Sequence, residues 1–397
     1  MTETSSLRGK RVLVLGASGF LGGRLVERLV VECGAEVRIL LRRVATGSSA
    51  VRFPVEVQMG ELADPEAVRR AVAGCSVVFN CAKGSGGDAE RRRAVDVDAS
   101  GEVVEAAARA GARVVHVSSF AVYDLPQDGE VDEHTPATPP GDTYSDNKLA
   151  GEQLALATGA RLGVPVTVLQ PTVIYGPRGT VHGSDILDEM RTGRLVLVNG
   201  GTGVCNAVYV DDVVTAMLLA ATRDSAAGER ILVSGAEHPT WAEFFGHFER
   251  MLGRPSTIAM SEAEALALWD ASQRRPWLAT EALRIFREER AVRRRLLATR
   301  EAVLVRSVAG RVAPRLVRSG QRWTHGEGAA GTVRETPSSE QYDGAIPSRP
   351  WVVTYLAKRA QVRIDKAETL LGYRPAFGLA DGMSLTERWV RWANLLA

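Results

Sequence analysis

Only four cysteines occur in 397 residues (Cys33, Cys75, Cys81 and Cys205), with no CxxC pair and no clustered histidines. Neither a disulfide framework nor a structural zinc site is indicated, and no metal is expected. Net charge is nearly absent: 49 basic against 47 acidic side chains leave +2, which gives no global field favouring nucleic acid or a membrane as the main partner. No run reaches the roughly 18 continuous apolar residues needed to span a bilayer, and the opening MTETSSLRGKR lacks the apolar core of a signal peptide. A cytoplasmic protein is the expectation. Aromatics are scarce at 6%, and all seven tryptophans lie at or beyond Trp241. The remainder, 45% hydrophobic and 24% charged residues, excludes disorder as the general state.

From Lys10 to about Leu169, short β-branched apolar runs alternate with longer helical patterns, the signature of βαβ units. Strands are expected at Arg11 to Leu15, Glu36 to Leu41, Val55 to Met59, Val77 to Cys81, Arg113 to Val117 and Val166 to Leu169. Helices are expected at Leu21 to Cys33, Pro65 to Ala73, Arg91 to Ala110 and Tyr144 to Leu162, each closed by a glycine (Gly34, Gly74, Gly111, Gly163). The fold class is therefore α/β, a doubly wound, Rossmann-like parallel sheet, with a smaller and mostly helical C-terminal substrate domain carrying an Arg-rich helical insertion. The cofactor domain is expected to comprise residues 1–180 and 205–235, and the substrate domain residues 181–204 and 236–397 with an insertion at about 255–360. The Gly-, Pro- and Ser-rich stretch Gly326 to Pro350 reads as a mobile loop or lid.

Gly16-Ala17-Ser18-Gly19-Phe20-Leu21-Gly22 lies directly between the first strand and the first helix. Such glycines make a tight turn, let backbone N–H groups approach a pyrophosphate and allow close helix packing, with the anion on the helix N-terminus. Gly16, Ser18, Gly19, Phe20, Leu21 and Gly22 are thus candidates to hold a dinucleotide. At the end of the second strand, where an NAD enzyme usually has an acidic side chain, Arg42 and Arg43 stand instead. Guanidinium groups suit a 2′-phosphate, so NADP is favoured, with NAD possible; the alternative is a solvated basic loop. Glu61 and Leu62, after the third strand, and Cys81 and Ala82, after the fourth, are expected along the same crevice. Glu61 is a candidate acceptor for the adenine amino group.

Tyr144 and Lys148 stand four residues apart at the start of a helix, on one face and one turn from each other. An ammonium beside a phenol stabilises the phenolate, as a general acid or base requires. Ser118 and Ser119 end the fifth strand, where open parallel sheets place their ligand crevice, and a hydroxyl there can hold the oxygen that Tyr144 protonates. The plainer alternative is that the serines cap the next turn.

These segments (GASGFLG, VVHVSSFAVY, the YSDNK helix followed by Glu152, QPTVIYGPRG, VYVDDVVTA and DKAETLLGYRP) resemble the extended short-chain dehydrogenase/reductase family, which includes NAD-dependent epimerases and dehydratases. The resemblance covers residues 10 to about 253 and 361 to 397. It implies Tyr144 as acid/base, Lys148 binding the nicotinamide ribose as well, Ser119 rather than Ser118 orienting the substrate, and backbone from Pro171 to Val173 beside the nicotinamide. It also implies that Asp211 and Asp212 anchor an interdomain helix. Departures narrow the reaction. Phe120-Ala121 replaces the Asp-Glu pair usual in dehydratases, and Val173 and Cys205 replace the Asn and Arg of sugar-nucleotide members. Asp96 stands in place of Asn and Lys83 in place of Ala, with no role assigned to either change. Tyr175 and His182, in and just past the YGP turn, are candidate substrate contacts, because loops at this crevice supply them. His116 and His247 read as structural.

Between Arg284 and Arg322 stand twelve arginines and three glutamates, with apolar residues at helical intervals. Such helices suit a cap with its arginines in water, an acidic partner, an anionic substrate or, less favoured, a membrane surface. Trp269, Trp277 and Trp351 flank the segment and are either pocket walls or buried anchors. The leading expectation is an NADP-dependent oxidoreductase that interconverts a ketone and a secondary alcohol on a small molecule. An epimerase of a sugar or sugar nucleotide on retained cofactor, and a non-catalytic cofactor-binding regulatory protein, are the alternatives. A homodimer is expected by family resemblance alone.

Overall fold

The computed structural model describes residues 6–47, 49–84, 88–139, 141, 143–274 and 344–396. Seven strands, β1 (Arg11–Leu15), β2 (Glu36–Leu41), β3 (Glu56–Met59), β4 (Val77–Asn80), β5 (Arg113–Val117), β6 (Val166–Pro171) and β7 (Arg230–Val233), pair in parallel in the order β7-β6-β5-β4-β1-β2-β3. The order reverses at β1, whose neighbours are β2 and β4, so a crevice opens beyond the carboxyl ends of β1 and β4. β1 is apolar on both faces because both are covered. Val12 and Val14 point into one core with Leu25, Leu29, Val213 and Met217, whereas Leu13 and Leu15 point into the other with Val68, Val103, Val104 and Ala155. The first set comes from helices α1 (Phe20–Val31) and α5 (Val210–Ala220), the second from α2 (Pro65–Val72), α3 (Ala99–Ala110) and α4 (Thr143–Leu162).

The expected strands and helices fall within two residues of their observed ends, with one exception. The helix expected from Arg91 to Ala110 breaks into Ala89–Arg93, a wide turn Ala94–Asp98 and α3. The break has a packing cause. Gly151 of α4 approaches the Asp96 carbonyl so closely that a Cβ there would lie 2.3 Å from it, and the wider turn accommodates the contact.

The chain divides into two units, Met1–Glu262 with Gly344–Ile346 and Pro350–Ala397, and Ala263–Asp343 with Pro347–Arg349. The first holds the sheet and most residues expected in the substrate domain. In it, Leu195–Val198 pairs in parallel with Thr257–Met260, and the preceding Arg194 is bonded through its N–H to the Gly344 carbonyl (2.7 Å) and through its carbonyl to the Ile346 N–H (2.9 Å). Two further short parallel pairs join Val173–Tyr175 to Ala207–Tyr209 and Glu130–Val131 to Gln361–Val362. The C-terminal segment is tied down by buried polar groups. The Asp212 carboxylate accepts the N–H groups of Ala376 (2.8 Å) and Phe377 (3.3 Å), and Tyr373 donates its hydroxyl to the Ser234 carbonyl at 2.9 Å. Asp211 receives a two-pronged bond from Arg24 of α1 at 2.5 and 2.9 Å. The aspartate pair thus ties its helix to other segments of the first unit.

The helix Glu262–Arg274 belongs to the second unit from Ala263 onward. The Arg-rich segment 284–322, Trp277 and most of the expected loop 326–350 lie outside the described residues. Among the described residues no helix is long and apolar enough to cross a membrane.

Candidate active site

The turn after β1 is built for an anion. Gly16 takes φ +79°, and a Cβ there would lie 2.7 Å from the Cys81 carbonyl; one on Gly22 would lie 2.3 Å from the Gly16 carbonyl. Backbone, not flexible side chain, fills both places, so only glycine lets the turn close on itself. Gly19 donates its N–H to the Gly16 carbonyl at 2.9 Å and caps α1 without a side-chain hydrogen bond, and no acidic residue stands in the first turn. The N–H groups of that turn and the positive end of the helix are therefore available to a phosphate.

A cleft of about 410 Å³ opens over this turn. Gly16, Ser18 and Gly19 form its floor, Arg42 enters from the end of β2, Glu61 and Leu62 from beyond β3, and Cys81 and Ala82 from beyond β4. The other glycine-turn candidates sit elsewhere. Leu21 packs into the core, the Phe20 ring is backed by Gly179, whose Cβ would lie 3.4 Å away, and Gly22 serves the turn from behind. Arg43 is exposed one residue past the lining. Glu61 already has a partner: Arg91 reaches across to both of its carboxylate oxygens at 3.0 and 3.1 Å. Arg91 and Lys83, which also line the cleft, were not among the expected cofactor contacts. Their signal was positional, since both follow the carboxyl end of a strand next to the switch point.

Beyond the cleft, β5 ends at Ser118-Ser119. The Ser119 hydroxyl oxygen accepts the Ala121 N–H at 3.2 Å and caps the turn Phe120–Val122, so it does what the plainer reading expected while keeping its own proton to donate. Lys148, 6% exposed, donates to the Val117 carbonyl at 3.0 Å, which brings its ammonium to the strand end that carries the serines. Burial pulls its pKa below the usual lysine value, while Asp96, Cys81 and Glu152 act to keep it charged. Tyr144 lies one helical turn before Lys148 on α4, 37% exposed, with the Lys83 ammonium 4.8 Å from its ring centroid.

A buried polar chain backs this arrangement. Glu152, one turn after Lys148 and fully buried, accepts the Gln170 amide at 2.9 and 3.2 Å, with Arg230 at 3.5 Å. Gln170 in turn accepts the Tyr123 hydroxyl at 2.8 Å. Burial raises the Glu152 pKa, opposed by Ser118, Gln170 and Arg230. His116 lies in the same layer, beside the Asn80 amide at 3.3 Å; burial and the nearby Lys148 lower its pKa to about 3.

Pro171 and Val173 are buried at the end of β6 and just beyond, where the Val173 N–H is taken by the Asn206 carbonyl at 3.0 Å. Of the two expected substrate contacts, Tyr175 occupies a structural place instead, whereas His182 is half-buried. Tyr175 is 2% exposed, packed against Tyr209 and Phe244, and its hydroxyl donates to the Gly378 carbonyl at 3.3 Å. His182 is bonded to the Ile174 backbone, and burial lowers its pKa to about 4.

Comparison with known proteins identifies the family. The sequence pattern of the NAD dependent epimerase/dehydratase family matches residues 12–234. Sterol demethylase protein B of Methylococcus capsulatus is 33% identical over 61% of this chain and 75% of its own length. The 4-hydroxy-2-methyl-3-oxo-4-farnesyl-3,4-dihydroquinoline-1-oxide ketoreductase of Stigmatella aurantiaca is 34% identical over 57% and 69%. An epimerase structure from Methanothermobacter thermautotrophicus superposes with a TM-score of 0.69 at 19% identity, covering 100% of this chain and 96% of that one. The chain belongs to the NAD dependent epimerase/dehydratase family, among the extended short-chain dehydrogenases/reductases, and is an NAD(P)-dependent enzyme of the oxidoreductase or epimerase type.

Proposed function

We propose that this protein is an NADP-dependent reductase that interconverts a ketone and a secondary alcohol on an apolar small molecule. The observation that carries the reading is the gathering of Ser119 and Lys148 at the end of β5, with Tyr144 one turn before Lys148 and its ring under Lys83, a residue of the cleft over the glycine turn. The cradle fits the dinucleotide, since Gly16 and Gly22 let the turn close where a Cβ would meet backbone, and the first turn of α1 has no side-chain cap. Gly16, Ser18 and Gly19 would hold the pyrophosphate, Arg42 the 2′-phosphate, and Lys148 the nicotinamide ribose. When bound, the nicotinamide supplies the hydride. The Ser119 O–H donates to the carbonyl oxygen and fixes its position, and the Tyr144 hydroxyl gives that oxygen its proton as the alcohol forms. The Lys148 ammonium favours the phenolate left behind, and Asp96 and Glu152 favour the charged form of Lys148.

The substrate side supports an apolar ketone over a nucleotide sugar. Phe120 and Ala121 offer no acid/base pair for elimination, and Val173 and Cys205, both buried, offer no cation to a diphosphate. The named relatives include a sterol demethylase component and a farnesylated quinoline ketoreductase, which favours the same class. On this reading the protein is cytoplasmic, with a substrate domain made of residues 181–204 and 236–397, and it forms a homodimer.

The test combines native mass spectrometry with NADPH consumption. The purified protein is expected to exchange its nucleotide freely and to oxidise NADPH with a 3-keto steroid or a 2-alkyl-3-oxo acid. Tyr144→Phe is expected to lower kcat by about 10²- to 10⁴-fold, the usual weight of one general acid, while still binding NADPH. A stoichiometric, non-exchanging NAD together with interconversion of UDP-sugars would establish the epimerase instead.

A further inference from the structure

Lys83 is the departure from family pattern that the proposed function leaves unused. Its ammonium lies 4.8 Å from the centroid of the Tyr144 ring, inside the range at which a ring face holds a cation. No carboxylate of the described residues pairs with it. The turn that carries Lys83 is itself fixed from behind. The Gly84 N–H donates to Asp96 Oδ1 at 2.7 Å, and a Cβ on Gly84 would lie 2.9 Å from Arg92 Cα and 3.0 Å from Asp96 Oδ2, so the turn and the Ala89–Asp98 segment are in close contact. Asp96 in turn presents its carbonyl to Gly151 of α4. Contacts therefore run in a closed circuit from α4 through Asp96 and Gly84 to Lys83, and back to α4 at Tyr144. Both unexplained departures, Asp96 and Lys83, lie on that circuit.

We propose that Lys83 is a positioning residue for Tyr144: its ammonium holds the phenol ring at a fixed angle beside the cleft. The inference rests on Tyr144 acting as the proton donor. It gives Lys83 two neighbours of opposite character, the aromatic face on one side and the cofactor cleft, whose wall it also forms, on the other. A simple phosphate ligand would need only the second.

The experiment uses the full chain labelled with ¹³C at the tyrosine ε carbons, the Tyr144 signal being identified by its loss in Tyr144→Phe. Lys83→Met, which keeps chain length and removes charge, is expected to shift that signal, and Lys83→Arg, which keeps a cation over the ring, to return it towards its original position. In the NADPH assay, Lys83→Met is expected to lower kcat by about fivefold with KM for NADPH changed by less than about twofold, and arginine to restore it. An unmoved Tyr144 signal overturns the proposal. So does a rise in KM for NADPH at unchanged kcat, which makes Lys83 a phosphate ligand. A wild-type protein that consumes no NADPH with any ketone refutes the functional reading, whereas the spectroscopic arm still decides the contact.

Discussion

Acid should loosen this protein through one identifiable imidazole. His116 is 4% exposed at the end of β5, with Asn80 and Lys148 as its polar neighbours. If Asn80 donates its amide to Nδ1, the proton of the neutral ring sits on Nε2, which has no partner, and a second proton would face both the amide and an ammonium. The folded state therefore keeps His116 neutral down to a pKa of about 3, whereas the unfolded chain takes its proton near 6.5. Acid favours the state that binds more protons, so stability that is intact above pH 6.5 falls as pH drops through the window towards about 3. Each group contributes about 1.4 kcal/mol per pH unit there. At about pH 5 the loss from His116 is roughly 2 kcal/mol, a large part of the 5–15 kcal/mol typical of a folded domain. His182, lowered to about 4, adds a parallel loss with the same sign. The raised carboxyls of Glu152, Glu133 and Asp212 act in the opposite direction, and they cancel when a variant is compared with wild type. His238 and His247, also lowered by burial, act with the same sign as His116, and His116→Gln removes one of these imidazoles. In urea unfolding, the transition that exposes the sheet should lose roughly 2 kcal/mol less in the variant than in wild type on going from about pH 7 to about pH 5. The offset at neutral pH is immaterial. Parallel pH slopes for the two proteins would refute the reasoning.

Other perturbations follow from the same geometry. Gly22→Ala drives a Cβ to 2.3 Å from the Gly16 carbonyl, so it should abolish NADPH binding, read by nucleotide fluorescence, and cost about 1–3 kcal/mol in thermal stability. Arg42→Asp should lower the ratio of kcat/KM for NADPH over NADH by at least about tenfold, the weight of one charge-assisted phosphate contact; an unchanged ratio removes Arg42 from that role. Asp212→Ala leaves the Ala376 and Phe377 N–H groups without their acceptor, each costing about 1–3 kcal/mol if it stays buried, so melting should fall and proteolysis near residue 376 should rise.

Local pattern carried most of the sheet. The apolar character of Val12 to Leu15 on both faces, the glycine turn behind it and the i, i+4 pair on α4 are all features of short sequence range, and they appear where expected. What the sequence hid depends on approach between distant segments. The broken helix at Ala94–Asp98 exists because Gly151, more than fifty residues on, comes close to Asp96. Glu61 looked available to an adenine, but its partner Arg91 is set by the fold across the crevice. Tyr175 departs from its expected role for a similar reason. A tyrosine near a crevice reads as a contact until the Gly378 carbonyl and the Phe244 ring are brought against it from the far end of the chain. Lys83 was visible as an oddity, and only the position of the Tyr144 ring gives it a task.

The strand Leu195–Val198 and its leading Arg194 carry a consequence for how such a protein diversifies. The chain departs just after Met260, paired to that strand, and comes back at Gly344, bonded to Arg194. Exit and re-entry thus meet on one strand of the first unit. The ends of the intervening stretch are held by the same strand, so its length can change without shifting the pairing of Leu195–Val198 with Thr257–Met260.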